Sequence, residues 1–206
     1  RMRVWSRLWQ RLRIGAPASG SAAGSWSSAQ GELSPQSLAP CDILVQVDDF
    51  ESGGLENVVM DLNSSLMIAG YRVLLLVLGS RGPAEQRARD RGQTVICCGY
   101  SQEMHADLIE RTQPKLVLAH YSVQGIEIWR RNGVPFVQVI HNVYVWFNAR
   151  QRQAFAAAAA LTTVCVAVSE AVKAYAVSSL GVPAEKCTVI PNGIDSALFR
   201  RRDRLE

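Results

Sequence analysis

The chain has 206 residues, 48% apolar and 19% charged, with 22 Lys and Arg against 18 Asp and Glu for a formal net charge of +4. These proportions describe a folded domain, alone or with a tail, and exclude a disordered, collagen-like or disulfide-scaffolded chain. No uninterrupted apolar run reaches about 18 residues, so no membrane-spanning helix is expected.

The basic charge sits at the ends. Residues 1–40 carry five Arg against Glu32, and residues 196–206 carry four Arg against Asp203 and Glu206, while residues 41–195 hold 13 basic and 15 acidic side chains. A nucleic-acid partner would need a basic face on the domain itself, so none is expected. The five cysteines, Cys41, Cys97, Cys98, Cys165 and Cys187, form no CxxC pair. Three of them stand inside apolar runs, where a free thiol behaves as a small hydrophobe, which fits a reducing compartment. No zinc spacing or acidic ligand cluster is present, so neither a metal nor a resident cofactor is expected. A chain that opens at Arg1 and closes in a charged run is expected to be a piece of a longer protein.

Residues 1–14 place Trp5, Leu8, Trp9 and Leu12 on one helical face, with five Arg around the rest. This is the pattern of a short basic amphipathic helix able to rest on an anionic membrane surface; a frayed terminal helix is the alternative. Residues 15–40 contain 20 Gly, Ala, Ser and Pro among 26 and read as a flexible linker. The domain is expected over 41–199, with 200–206 as a charged tail leading toward a further domain.

From Cys41 onward short apolar runs alternate with helical periods. Strands are expected at 43–47, 73–78, 95–98, 116–119, 136–140, 164–168 and 188–190. Helices are expected at 55–69, 84–91, 101–111, 123–131, 150–160 and 170–179. Strict alternation predicts an α/β fold with a doubly wound, mostly parallel Rossmann-like sheet and helices on both faces. Ligands of such sheets bind beyond the carboxyl ends of the strands, which directs attention to 48–54, 79–81, His120, 141–147, Ser169 and 191–195.

The first turn, VDDFESGGLENVV, places Gly53 and Gly54 at a helix start, where free N–H groups and the positive dipole end suit a phosphate; an ordinary strand-to-helix turn reads the same way. Glu56 suits the dipole but would repel a phosphate unless turned away. No GxGxxG is present and no acid ends the second strand, so a dinucleotide site is disfavoured. His120 and His141 each follow a strand and read either as ligand contacts or as structural residues. Asn142, Tyr144 and Trp146 follow His141 at alternate positions, where aromatics stack on sugar or base rings, or form a lid or domain contact. His105 falls inside a helix and has no role assigned. Ser169 is best placed as a helix N-cap; nothing around it forms a hydrolase nucleophile elbow. Pro191, Asn192, Gly193 and Asp195 form a strand stop, a tight turn and an exit.

Three segments taken in order, GGLENVVMDLNSSLMIAGYRV, VIHNVYVWF and VAVSEAVKAYAVSSLGVPAEKCTVIPNGIDSALF, resemble the amino-terminal half of family 4 glycosyltransferases over about residues 42–199. Those are retaining enzymes with two facing Rossmann-like domains, the GT-B fold. The resemblance implies that Gly53 and Gly54 approach the donor phosphates and that His141 lies near the donor sugar as the catalytic-site residue. It also implies that Ser169 opens the helix beside the cleft and that Asn192, Gly193 and Asp195 form the loop leading toward the second domain; His120, Asn142, Tyr144 and Trp146 are assigned to the cleft or acceptor side from their places after the strands. The partners implied are a nucleotide-sugar donor, as substrate, a sugar or lipid-linked acceptor, and a carboxyl-terminal domain holding most of the donor site. No Glu here has another eight positions on, so the family's Glu-x7-Glu motif is missing and this chain alone is expected to be inactive. A cytoplasmic protein, peripheral at the inner membrane face, follows from this reading. The alternative is a non-catalytic single-domain binding or scaffold protein with the same fold.

Overall fold

The computed structural model describes residues 38–193. The segment 1–14, the low-complexity stretch through residue 37, Asp195 and the tail 200–206 lie outside the described residues.

Strands and helices alternate along the chain: β1 Ile43–Val47, α1 Gly54–Ile68, β2 Val73–Val77, α2 Pro83–Asp90, β3 Thr94–Cys97, α3 Gln102–Thr112, β4 Leu116–His120, α4 Ile126–Arg131, β5 Phe136–Ile140, α5 Ala149–Leu161, β6 Val164–Ala167, α6 Glu170–Ser179, a 3-10 turn Ala184–Lys186, and β7 Cys187–Val189. All pairings are parallel, in the order β3-β2-β1-β4-β5-β6-β7. The doubly wound α/β sheet expected from the alternation is therefore present. The order reverses between β1 and β4, so the chain leaves opposite edges of the sheet on either side of that pair and opens a crevice there.

The strands are apolar on both faces because both are covered. Val45, Val47, Leu75, Leu118 and Val137 pack on one face with Val59 and Met60 of α1 and Ala84 and Ala88 of α2. Leu44, Leu74, Leu76, Val117 and Phe136 pack on the other with Leu108 of α3, Trp129 of α4 and Ala158 of α5. Leu38 packs against this second cluster, so core contacts begin inside the stretch expected to be linker.

Local chemistry sets the helix ends. Ser101 and Ser169 cap α3 and α6, each accepting from the backbone N–H three residues on, at 3.0 and 3.2 Å. Asn148 and Gln151 form a reciprocal capping box at α5, both bonds 2.9 Å. One boundary moves appreciably. The helix expected from residue 123 starts at Ile126, because Gly125 takes φ +69°, a left-handed turn that breaks a helix. A Cβ at Gly125 would also collide with the His105 ring. All five cysteines are free thiols, and burial pushes Cys41 and Cys97 up to about 12 and Cys165 up to about 11.

Candidate functional site

An open cleft of about 600 Å³ lies over the carboxyl ends of the central strands. Its walls are Gly54, Leu55 and Val58 at the start of α1, Tyr121 after β4, the loop after β5 with His141, Asn142, Tyr144 and Trp146, and Asn192 with Gly193 beyond β7. Seven of the residues singled out in the sequence thus meet in one place. Leu55, Val58 and Tyr121 join them without having been singled out.

The α1 wall is held by its neighbour. Ser80 donates from its backbone N–H and its hydroxyl to Asp49 Oδ1, at 2.8 and 2.9 Å, and Ser80 Oγ lies 2.7 Å from Glu51 Oε1. A Cβ at Gly79 would strike the Asp48 carbonyl and Asp49 carboxylate, and one at Gly82 would strike Glu51. These two glycines let the loop after β2 press against the loop that delivers Gly53 and Gly54. Gly53 itself is extended, and a Cβ there would stand 2.8 Å from Glu56 Oε2, so the Glu56 carboxylate lies on the Gly53 side. Neither Gly53 nor Glu56 lines the cleft. Apart from its chain neighbours and the backbone of its own helical turn, no protein atom lies within 4 Å of where a Cβ at Gly54 would stand, so the space beside it is open.

The opposite wall rests on a buried pair. His120 Nδ1 and His141 Nε2 are 2.8 Å apart. Their ring centroids are 5.0 Å apart and the planes differ by 27°. That centroid distance is what the nitrogen separation plus two ring radii gives, so the rings meet edge to edge. His120 is 1% exposed and lies behind His141, outside the cleft lining, and its Nε2 is buried with no partner among the described residues. Burial pushes His141 down to about 4 and holds His120 well below the usual imidazole range, with the neighbouring ring adding to the effect on His120. Both are neutral near pH 7.

The aromatic residues divide. Trp146 is 55% exposed at the cleft mouth. The Tyr144 ring is instead buried against Tyr121, Phe147 and Phe155, and its hydroxyl accepts from the His141 backbone N–H at 3.2 Å. Residues 142–146 form a loop and not a strand, and Asn142, Tyr144 and Trp146 all line the cleft, Tyr144 from within this aromatic cluster. Tyr121 adopts φ +62°, left-handed for a residue with a Cβ. Ser169 serves as the α6 cap and lies outside the cleft lining.

Below this wall runs a buried amide network. Gln46 Nε2 donates to Ser122 Oγ at 2.8 Å and to the Gln124 carbonyl at 2.9 Å, while Gln46 Oε1 accepts from Trp129 Nε1 at 3.3 Å. Gln138 Nε2 donates to the Ser122 carbonyl at 3.3 Å. A polar residue within a run such as ILVQV was the available signal for it. Burial raises the Asp48 carboxyl, and Asp49 adds to that, against a hydrogen bond with Ser122.

A fully parallel, doubly wound sheet with its crevice over β1, β4 and β5 forms one Rossmann-like half of the GT-B glycosyltransferase architecture. The family model Glycosyltransferase Family 4 matches residues 52–198, more than half of the chain, and the protein belongs to that family as an amino-terminal domain. Among solved structures it is similar to HepE from Anabaena in complex with UDP, with a TM-score of 0.65 and 18% identity over 76% of this chain and 45% of that one. HepE with UDP and glucose gives 0.66 and 17%, over 79% and 47%. A glycosyltransferase from Rickettsia africae gives 0.64 and 16%, over 76% and 44%. The chain thus spans less than half the length of these three structures. No curated protein sequence matches it. Among the described residues no helix is long and apolar enough to cross a membrane.

Proposed function

We propose that this domain is the acceptor-side half of an enzyme that transfers a sugar from a nucleoside-diphosphate donor to a sugar or lipid-linked acceptor, with retention, and that a carboxyl-terminal domain supplies most of the donor site. The observation that carries the reading is the meeting of Gly54, His141 and Asn192–Gly193 in one cleft of a family 4 domain. UDP and glucose complexes of HepE support a nucleotide-sugar donor.

The chemistry follows from the walls. Glycosyl transfer passes through an oxocarbenium-like state, and the departing diphosphate gathers negative charge. Fixed dipoles aimed at that charge lower the barrier. The first turn of α1 offers unpaired N–H groups, and the open space at Gly54 lets an oxygen approach the backbone. Such a helix start contributes about 0.3–1 kcal/mol per exposed anionic charge, so cationic groups of the second domain must supply the rest. His141 is neutral and acts as a hydrogen-bonding group beside the sugar. On this reading the protein works in the cytoplasm, and the sequence pattern of Trp5, Leu8, Trp9 and Leu12 with five Arg in residues 1–14 supports contact with the inner membrane face.

The test is transfer by the whole protein from a panel of UDP-, GDP- and ADP-sugars, with the anomeric configuration of the product read by NMR. Retained product from one donor is expected. The absence of both transfer and donor hydrolysis with every donor would overturn the transferase reading, and an inverted product would overturn retention alone.

A further inference from the structure

We propose that His120 is a positioning residue that donates its Nδ1–H to His141 Nε2, and so fixes His141 in the tautomer that presents Nδ1–H to the cleft. The role is tied to the transferase reading, because it says what His141 offers the ligand there.

Two neutral imidazoles share one hydrogen bond of 2.8 Å, and only one of the two facing nitrogens carries the proton. In one arrangement His120 Nδ1–H donates and the buried Nε2 of His120 is a bare lone pair. In the other, His141 Nε2–H donates, and the proton of His120 must sit on Nε2, where no acceptor is found among the described residues. A buried N–H without an acceptor is the rarer and more costly orphan. The surroundings therefore select the first arrangement. Neutrality of both rings keeps a second proton from scrambling it.

The consequence is passed forward through the ring. With Nε2 accepting, the His141 proton resides on Nδ1, as the tautomer of an imidazole is set by the bond its other nitrogen makes. No hydrogen bond to Nδ1 is found among the described residues, and His141 is a lining residue of the cleft. The cleft therefore meets a neutral N–H donor. It suits an acceptor oxygen, a sugar hydroxyl or a phosphate, and it cannot take a proton. The backbone helps to hold this orientation, since the His141 N–H is tied to the Tyr144 hydroxyl.

The experiment is long-range 1H–15N correlation on histidine-labelled protein at pH 7.5, paired with steady-state kinetics of the whole protein. Native His141 is expected as the Nδ1–H tautomer. His120→Leu is expected to remove the His120 Nδ1–H donor, to shift the His141 Nε2 resonance away from its hydrogen-bonded position, and to lower kcat about ten-fold or more with a smaller change in donor KM. His120→Asn, whose amide N–H can occupy the place of Nδ1–H, is expected to restore both. A native His141 in the Nε2–H form would overturn the proposal, as would a His120→Leu variant with the His141 Nε2 resonance and kcat unchanged. The native spectrum needs neither a variant that folds nor a substrate. An absence of transfer with the Nδ1–H tautomer present would sink the transferase reading and leave the positioning geometry standing.

Discussion

Acidification should loosen this fold through His141. Its folded pKa is about 4 against an ordinary 6.5, because burial disfavours the imidazolium. Between those values the unfolded chain binds a proton that the folded chain does not, so stability falls as pH drops through 6.5 toward 4. Lowering pH from 7.5 to 4.5 removes about 2.5 kcal/mol through His141 alone. His120 acts in the same direction. Asp48 acts in the opposite one, because a raised carboxyl takes up its proton more readily in the folded state. Asp42 and Glu85 are held down by Lys115, Arg72 and Arg89, and their contributions are lost mainly below this window. Urea unfolding at half-unit pH steps measures the slope. His141→Gln isolates it, since the amide oxygen can still accept from His120 Nδ1–H but does not titrate. The wild type should lose about 2 kcal/mol more than the variant between pH 7.5 and 4.5. Parallel stability curves for the two proteins would refute the buried neutral pair.

Gly54→Val should leave the melting temperature nearly unchanged, because its Cβ meets no atom beyond its own helical turn and chain neighbours, yet raise the donor KM of the whole enzyme by filling the space beside the backbone. Unchanged donor KM and kcat would remove the α1 start from the site. Gln46→Leu should cost about 3 kcal/mol by chemical denaturation, since the Trp129 N–H and the Gln124 carbonyl lose their buried partner. A loss under about 1 kcal/mol would show that the network rearranges around the change. Deleting residues 1–14 should reduce sedimentation with anionic vesicles at low salt and leave neutral vesicles unaffected; equal sedimentation of both proteins would make that segment an ordinary tail.

The alternation of apolar runs with helical periods is enough to predict the sheet and its parallel sense, because a strand buried on both faces leaves a short continuous apolar signature such as VLLLV. Once the strands are placed, their carboxyl ends point to Gly54, His141 and Asn192. What is not legible depends on contacts across the sheet. His120 and His141 lie 21 positions apart, and nothing in either motif says that their rings touch; the β4–β5 register brings them together. The packing of Tyr144 is hidden in the sequence for a related reason. Period-two reasoning applies to a strand, and the loop after β5 turns its ring into a cluster with Phe147 and Phe155. Two signals were readable and unused. Asn148 and Gln151 have capping-box spacing, and Tyr121 directly follows the carboxyl end of β4.

The irregularities of this domain are not scattered evenly. Of five buried side-chain atoms without a partner among the described residues, three belong to Asp48 just after β1, His120 at the carboxyl end of β4 and Gln138 in the middle of β5, where it bonds to the Ser122 carbonyl beyond β4. Tyr121, with its left-handed backbone, stands beside them. The other two are on Asn63 of α1, which bonds to Gln93, and on His105 of α3, which bonds to the Ser101 carbonyl. A fold selected for stability alone would replace such groups with apolar ones, as it has along β2. Their concentration beneath a single cleft is the pattern expected where polar groups are retained for a ligand at some cost in stability. It also explains why the cleft wall is built in two depths. An exposed group would titrate and change tautomer with the solvent. A ring backed by a second, fully buried ring offers the ligand the same neutral donor at every turnover.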